Sequence, residues 1–113
     1  MYGFSGSGSL GAGAFPAAVA GLNSFDRAGG CRITAQFNNA GAPMISLTTL
    51  ECSYNVNPDG SGVLKVRFNE LPNTFRSDFV LVDNAREILF VLSDDMFHVV
   101  ASGVTKKQRG ESD

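Results

Sequence analysis

The sequence predicts an all-β fold: a single antiparallel meander of about eight strands that closes into a small β-barrel. Three observations support this prediction. Turn-forming clusters recur at short spacing, and the segments between them are rich in Val, Thr and Phe. No window forms a long amphipathic helix, because Pro16 and Gly21 interrupt the best candidate. Closure into a barrel removes the two exposed edges that an open meander would leave.

The strands are defined in order by the turns that separate them. The turn clusters are DRAGG (26–30), NNAGAP (38–43), NPDGSG (57–62), LPNT (71–74), DNAR (83–86) and SDDM (93–96). The strand-like segments are YGFSGSGSL, AAVAGLNSF, CRITAQFN, ISLTTLECSYNV, GVLKVRFNE, FRSDFVLV, EILFVL and HVVASGVTKK. A chain of 113 residues suits one compact domain. We therefore expect a single barrel domain over residues 1–107 and a polar, frayed tail over 108–113.

The hairpin turns fix which residues face each other. NPDG favours a type I turn with Gly60 in the left-handed conformation, and DRAG followed by Gly30 suits the same geometry. A symmetric NNAGAP turn relates the two hairpins. The expected pairs are Phe25 with Cys31, Asn23 with Ile33, Cys31 with Cys52, Ile33 with Leu50, Tyr54 with Leu64, Cys52 with Val66, and Leu50 with Phe68.

Side-chain alternation then assigns an inner and an outer face. Thr49, Glu51 and Lys65 are expected on the outer face. The expected inner residues of the first half are Phe25, Cys31, Ile33, Phe37, Leu50, Cys52, Tyr54, Leu64, Val66 and Phe68. Past residue 70 the same face would continue through Phe75, Ser77, Phe79, Leu81, Ile88, Phe90 and Leu92. FVLV and EILFVL are apolar on both faces, which indicates that a partner subunit or a terminal segment covers their outer side.

Cys31 and Cys52 fall opposite each other on one face, where a cross-strand disulfide is geometrically possible. The alternative is a pair of adjacent, reduced, buried cysteines. A disulfide would indicate a secreted or periplasmic protein; without it the compartment stays open. The chain as given begins with no charged-then-apolar leader.

The inner face combines an apolar wall with a few polar groups, which is typical of a ligand pocket. The small residues of the second strand, Ala17 to Gly21, leave space on whichever side faces inward. The expected ligand-binding residues are Asn23, Phe25, Ile33, Phe37, Leu50, Tyr54, Phe68 and Phe90, with Tyr54 and Asn23 orienting the ligand. The alternative for the interior is a filled core, which is common in small eight-stranded barrels.

Other chemistries find little support in the sequence. A net charge of −2 does not favour nucleic acid as a partner, and no apolar segment is long enough to span a bilayer. Gly6, Gly8 and Gly11 match the G-x-G-x-x-G pattern, but no helix is expected to follow, so we expect a bend where the barrel closes. Two cysteines and His98 do not form a convincing zinc site, and no motif ties His98 to a nucleophile. We expect no cofactor and no metal.

The segments YNVNPDGSG, DFVLVDNAREILFVLSD and VVASGVTKKQ, together with YGFSGSG and SFDRAGG, resemble a pattern found in small, largely uncharacterised bacterial proteins, many of them exported. That group has no assigned catalytic residues. Its architecture is similar to lipocalin-like and allene-oxide-cyclase-like barrels, although the tryptophan motif of lipocalins is missing. Barrels of this architecture include carriers of apolar molecules and cyclases. The inward face with its small second strand favours a protein that binds an apolar or amphipathic small molecule. The alternative is a cofactor-independent cyclase or isomerase of secondary metabolism, for which Tyr54, inward in the predicted register, is the candidate catalytic residue. The third alternative is a structural or assembly protein with a filled core, whose partner would be further copies of the same chain in a homo-oligomer.

Overall fold

The computed structural model describes residues 1–11, 15–26, 28–39, 44–96 and 99–108. Eight strands follow one another around a closed barrel, and each pairs antiparallel with its neighbours, so that β1 also pairs with β8. This confirms the predicted fold class. The strands are β1 (Tyr2–Leu10), β2 (Phe15–Phe25), β3 (Cys31–Asn39), β4 (Ile45–Val56), β5 (Ser61–Phe68), β6 (Thr74–Val82), β7 (Glu87–Asp94) and β8 (Val100–Lys107).

The β2–β3 and β4–β5 turns set the register as their sequences predict. The symmetric pairing predicted across NNAGAP is wrong by one residue, because Thr34 pairs with Thr48, so Leu50 does not lie opposite Ile33. The amide of Asn57 donates to the carbonyl of Ser61 over 2.7 Å, and Gly60 has a φ of 90°. As a result Tyr54 lies opposite Leu64. The β2–β3 hairpin likewise places Asn23 opposite Ile33. The expected pairs Phe25–Cys31 and Cys52–Val66 are also present.

A β-bulge at Leu50 corrects the prediction for the middle of β4. Thr49, not Leu50, lies opposite Phe68, and the regular pairing resumes at Glu51. The extra residue turns the side chain of Leu50 outward, where 51% of it is exposed. The predictions that Leu50 lines the interior and that Thr49 lies outside are therefore wrong. The hydroxyl of Thr49 instead bonds to the backbone N–H and C=O of Ile33 across the bulge.

The glycines of β1 lie inside a strand rather than in a phosphate-binding loop. Gly6 pairs with Val19 on one side and with Gly103 on the other. A Cβ at Gly103 would lie 2.8 Å from Cζ of Phe90 and 2.0 Å from the carbonyl oxygen of Ser5. The absence of a side chain at Gly103 therefore allows the backbone of β1 and the Phe90 ring of β7 to pack closely against β8.

The two ends of the barrel differ. One end is formed by the β2–β3, β4–β5 and β6–β7 turns, and we call it the turn end. At the opposite end, Asn73 and Val99 are almost completely buried. The carboxylate of Asp94 accepts hydrogen bonds from the Asn73 side chain and from the Val99 amide, each over 2.7 Å. These contacts link the β5–β6 and β7–β8 connections at the end of the barrel away from the turn end.

The outer face of β6, β7 and β8 carries an exposed apolar patch. Val80 lies directly opposite Leu89, and Val91 and Val100 are exposed nearby on the same surface. The outward apolar side chains of FVLV and EILFVL are therefore exposed on the surface of this chain. The amide of Gln108 donates to the carbonyl of Met1, while residues 109–113 of the expected tail, and His98, lie outside the described residues.

Candidate functional site

The interior of the barrel contains a cavity of about 470 Å³. This volume falls within the range of pockets that enclose small organic ligands. Most of the lining is apolar, and none of the described residues that line the cavity is charged. The apolar lining comprises Phe4, Val19, Phe25, Ile33, Phe37, Leu47, Val56, Leu64, Val66, Phe68, Phe75, Phe79, Leu81, Ala85, Ile88, Phe90 and Leu92.

Polar atoms enter this lining from several strands. Asn23 on β2 and Ser77 on β6 are each 9% exposed, and Thr105 on β8 is 2% exposed. The Oδ1 atom of Asn23 is buried and has no hydrogen-bond partner among the described residues. A buried amide oxygen without a partner costs free energy, because it has lost the water that would bond to it.

Three aromatic rings form a cluster at the turn end of the cavity. Phe25 packs edge-to-face between Tyr2 and Tyr54, with ring centroids 5.6 Å and 5.1 Å apart. The hydroxyl of Tyr54 donates a hydrogen bond to the carbonyl of Asp26 in the β2–β3 turn. The hydroxyl of Tyr2 donates to the carbonyl of Ala85 in the β6–β7 turn over 2.8 Å. Each tyrosine therefore ties a turn to the cavity wall.

The β6–β7 turn is conformationally unusual. Asp83, Asn84 and Ala85 all have positive φ, of 52°, 54° and 63°. A left-handed conformation is unfavourable for alanine, so surrounding contacts have to hold it. The hydrogen bond that Tyr2 donates to Ala85 is one such contact. The Tyr2 side chain is partly buried, and this burial raises the pKa of its hydroxyl above the ordinary value.

The cavity reaches the surface at this turn end. Val56, the last residue of β4, lines the cavity and is 44% exposed, and Ala85 lines it from the β6–β7 turn. The other lining residues are buried or only partly exposed. A ligand entering between the turns would therefore meet the tyrosine–phenylalanine cluster first and Asn23 further inside.

Seven of the eight residues expected in the binding site line the cavity: Asn23, Phe25, Ile33, Phe37, Tyr54, Phe68 and Phe90. Leu50 does not, because the bulge turns it to the surface. Ligand binding by these residues stays a prediction. Tyr2, Phe4 and Thr105 also line the cavity and were not predicted from the sequence; they belong to the strands where the barrel closes. Strict alternation along YGF would have placed Tyr2 and Phe4 on one face, but only closure shows that this face is the inner one.

Cys31 and Cys52 form a disulfide, with their Cα atoms 5.0 Å apart. It joins β3 to β4 at the point where their regular pairing is interrupted. The continuous β3–β4 ladder runs from Thr34 to Phe37 on β3, and beyond the bulge one further bridge links Gly30 to Ser53. Beside the aromatic cluster, the disulfide therefore connects β3 to β4 where the ladder hydrogen bonds between these strands are interrupted.

None of the described residues belongs to a helix that could cross a bilayer. In the same part of the chain, no three His, Cys, Asp or Glu side chains are grouped so that they could hold a metal ion. No protein family model, no curated protein and no solved structure matches this chain.

Proposed function

We propose that this protein binds an apolar or amphipathic small molecule inside its barrel. The observation that carries the proposal is the cavity of about 470 Å³ whose lining is mostly apolar. An empty apolar cavity is unfavourable for stability, because the lining side chains lose packing contacts and no polar partners hold water there. A bound molecule with an apolar body would restore these packing contacts and so stabilise the folded protein.

The disulfide supports a site of action outside the reducing cytosol, in a secreted or periplasmic location. This agrees with the exported bacterial proteins that the sequence resembles. A carrier or sensor of apolar molecules would have an evident use there, because such molecules are sparingly soluble in water and need a protein to hold them.

The cyclase or isomerase alternative has less support from the site. It would require an acid or base next to the substrate. Among the described lining residues, the candidates are the hydroxyls of Tyr2 and Tyr54, and each already donates a hydrogen bond to a backbone carbonyl. Tyr54 is accordingly better suited to holding the β2–β3 turn than to transferring a proton.

The structural alternative is favoured by one observation, the exposed apolar patch on β6 to β8. Self-association through this patch would be compatible with binding inside the barrel. Analytical ultracentrifugation across a hundred-fold concentration range tests it, with Val91→Lys as the variant. A wild-type chain that stays monomeric throughout would rule out the assembly role.

The binding proposal is tested with the neutral fluorescent probe N-phenyl-1-naphthylamine. We expect saturable binding at about one probe per barrel, with fluorescence enhancement. Two variants provide the contrast. Val19→Phe adds volume to the cavity lining and should weaken binding, whereas Val91→Phe changes only the outer surface and should not. Equal loss in both variants, or no saturable binding by the wild type, would contradict the proposal.

A further inference from the structure

We propose that the ligand is an uncharged amphiphile with an alcohol group, and that Asn23 recognises this group inside the barrel. The inference rests on the proposed function and specifies the ligand class. Its basis is a buried amide that lacks a hydrogen-bond partner, in a cavity without charged lining residues.

Asn23 is the polar group in the lining that most clearly calls for a ligand. Its side chain is nine-tenths buried and lines the cavity, yet its Oδ1 has no partner among the described residues. The adjacent strands place Tyr2 and Ile33 opposite it. Ile33 has no polar side-chain atom, and the hydroxyl of Tyr2 donates to Ala85 in the turn instead. A ligand can therefore supply the bond that the protein does not.

The chemistry of an amide points to an alcohol. An asparagine side chain presents one acceptor and two donors, and rotation about its terminal torsion can bring either end toward the ligand. A hydroxyl group also both donates and accepts, so it can bond to the amide in either orientation. An ether accepts only, and a hydrocarbon does neither, so each would leave the amide oxygen unpaired.

The lining argues equally for a neutral group. An ionised carboxylate loses much of its hydration in such a cavity and would need a cation or several donors in return. No lysine or arginine is among the described lining residues. On the strands around Asn23, Arg32 of β3 and Lys106 of β8 are exposed. Lys107, which pairs with Tyr2 at the end of β8, is partly exposed and does not line the cavity. The hydroxyls of Ser77 and Thr105 add neutral partners on β6 and β8.

A matched ligand series tests this inference. Decan-1-ol, its methyl ether, decane and decanoate each displace N-phenyl-1-naphthylamine from the wild type, from Asn23→Leu and from Ser77→Ala. In the wild type we expect the alcohol to bind about ten-fold more tightly than its methyl ether, the advantage of roughly one satisfied hydrogen bond. Asn23→Leu should remove this advantage, so that the alcohol and its methyl ether displace the probe from this variant at similar concentrations. Ser77→Ala, a lining change of similar burial, should retain most of it.

The outcomes separate this inference from the proposed function. If the wild type does not bind the probe, the proposed function fails. If the probe binds but alcohol and ether compete equally, or decanoate competes best, the inference is overturned and the proposed function stands. An advantage that survives Asn23→Leu would also overturn it, whatever the result for Ser77→Ala. Should Asn23→Leu not fold, Asn23→Ser and the wild-type series decide the question.

Discussion

Removal of the Cys31–Cys52 disulfide is expected to destabilise the barrel by an amount that can be calculated from the chain it encloses. The two cysteines are 21 residues apart in sequence. Cross-linking a loop of that length lowers the conformational entropy of the unfolded chain, which corresponds to about 3 kcal/mol of stability at 25 °C. The perturbation is the double variant Cys31→Ala with Cys52→Ala, which leaves no unpaired thiol.

The expected change in melting temperature follows from the size of the domain. Unfolding entropy of about 2.1 cal/mol/K per residue gives roughly 0.24 kcal/mol/K for this chain. A loss of about 3 kcal/mol then lowers Tm by about 13 °C. The effect should be largest locally beside the aromatic cluster, where the amide of Tyr54 bonds to the carbonyl of Gly29 over 2.8 Å.

Calorimetry measures the change in Tm, and hydrogen exchange measures the protection of the Tyr54 amide. A non-thiol reductant applied to the wild type provides the matched treatment, and the same reductant applied to the double variant provides the control, which should not respond. If Tm falls by less than about 4 °C, the loop-entropy calculation is refuted. Two titratable thiols in the native, unreduced protein would refute the disulfide itself.

Three further predictions concern the bulge, the β6–β7 turn and an exposed carboxylate. Leu47→Ala should cost about 2–5 kcal/mol in urea denaturation because Leu47 is 3% exposed, whereas Leu50→Ala should cost below about 1 kcal/mol; a reversed order would place the bulge elsewhere. Tyr2→Phe removes the hydrogen bond to the β6–β7 turn and should lower the free energy of unfolding by about 1 kcal/mol. It should also speed entry of the probe, measured by stopped-flow fluorescence. An unchanged entry rate would show that the turn does not limit access to the cavity. The Glu70 carboxylate accepts hydrogen bonds from the backbone and hydroxyl of Thr48, which lower its pKa, so its stabilising contribution is present above the ordinary glutamate pKa and is lost as the pH falls through the lowered value. Glu70→Gln should flatten the acid side of the stability profile, and a carboxyl titration by NMR at the ordinary glutamate pKa would contradict this.

Much of the barrel could be predicted because short hairpins convert turn chemistry into register. Asn57 to Gly60 determine the β4–β5 pairing locally, and the inner face of β6 and β7 follows from the two-residue turn after Asp83. In that turn the amide of Arg86 donates to the carbonyl of Asp83 over 3.0 Å. Such local rules transfer from one strand to the next, so a consistent inner face emerged before any tertiary contact was known.

The bulge at Leu50 could not be predicted in the same way. In SLTTLEC, apolar residues lie at Leu47 and Leu50, an odd spacing that strict alternation cannot place on one face. Either leucine fits an inner position, and the choice depends on Phe68 and Ile33 on the neighbouring strands. The hydroxyl of Thr49 decides it, because it bonds to the Ile33 backbone where the ladder is interrupted. The odd spacing indicates an irregularity in β4, but its position depends on these tertiary contacts.

The cavity itself depends on where the barrel lacks side chains. An eight-stranded barrel is usually filled by its inner residues, and this one supplies many phenylalanines. The ring of Phe90 comes within 3.1 Å of where a Cβ would stand at Gly6, and the ring of Phe4 within 2.9 Å of the same place at Gly21. Each ring therefore occupies space beside the wall that a side chain would otherwise take, and less of it projects toward the axis. Gly6, one of the glycines that match the nucleotide-binding pattern, thus helps together with Gly21 to keep the centre of the barrel open, which is the property on which the proposed small-molecule binding depends.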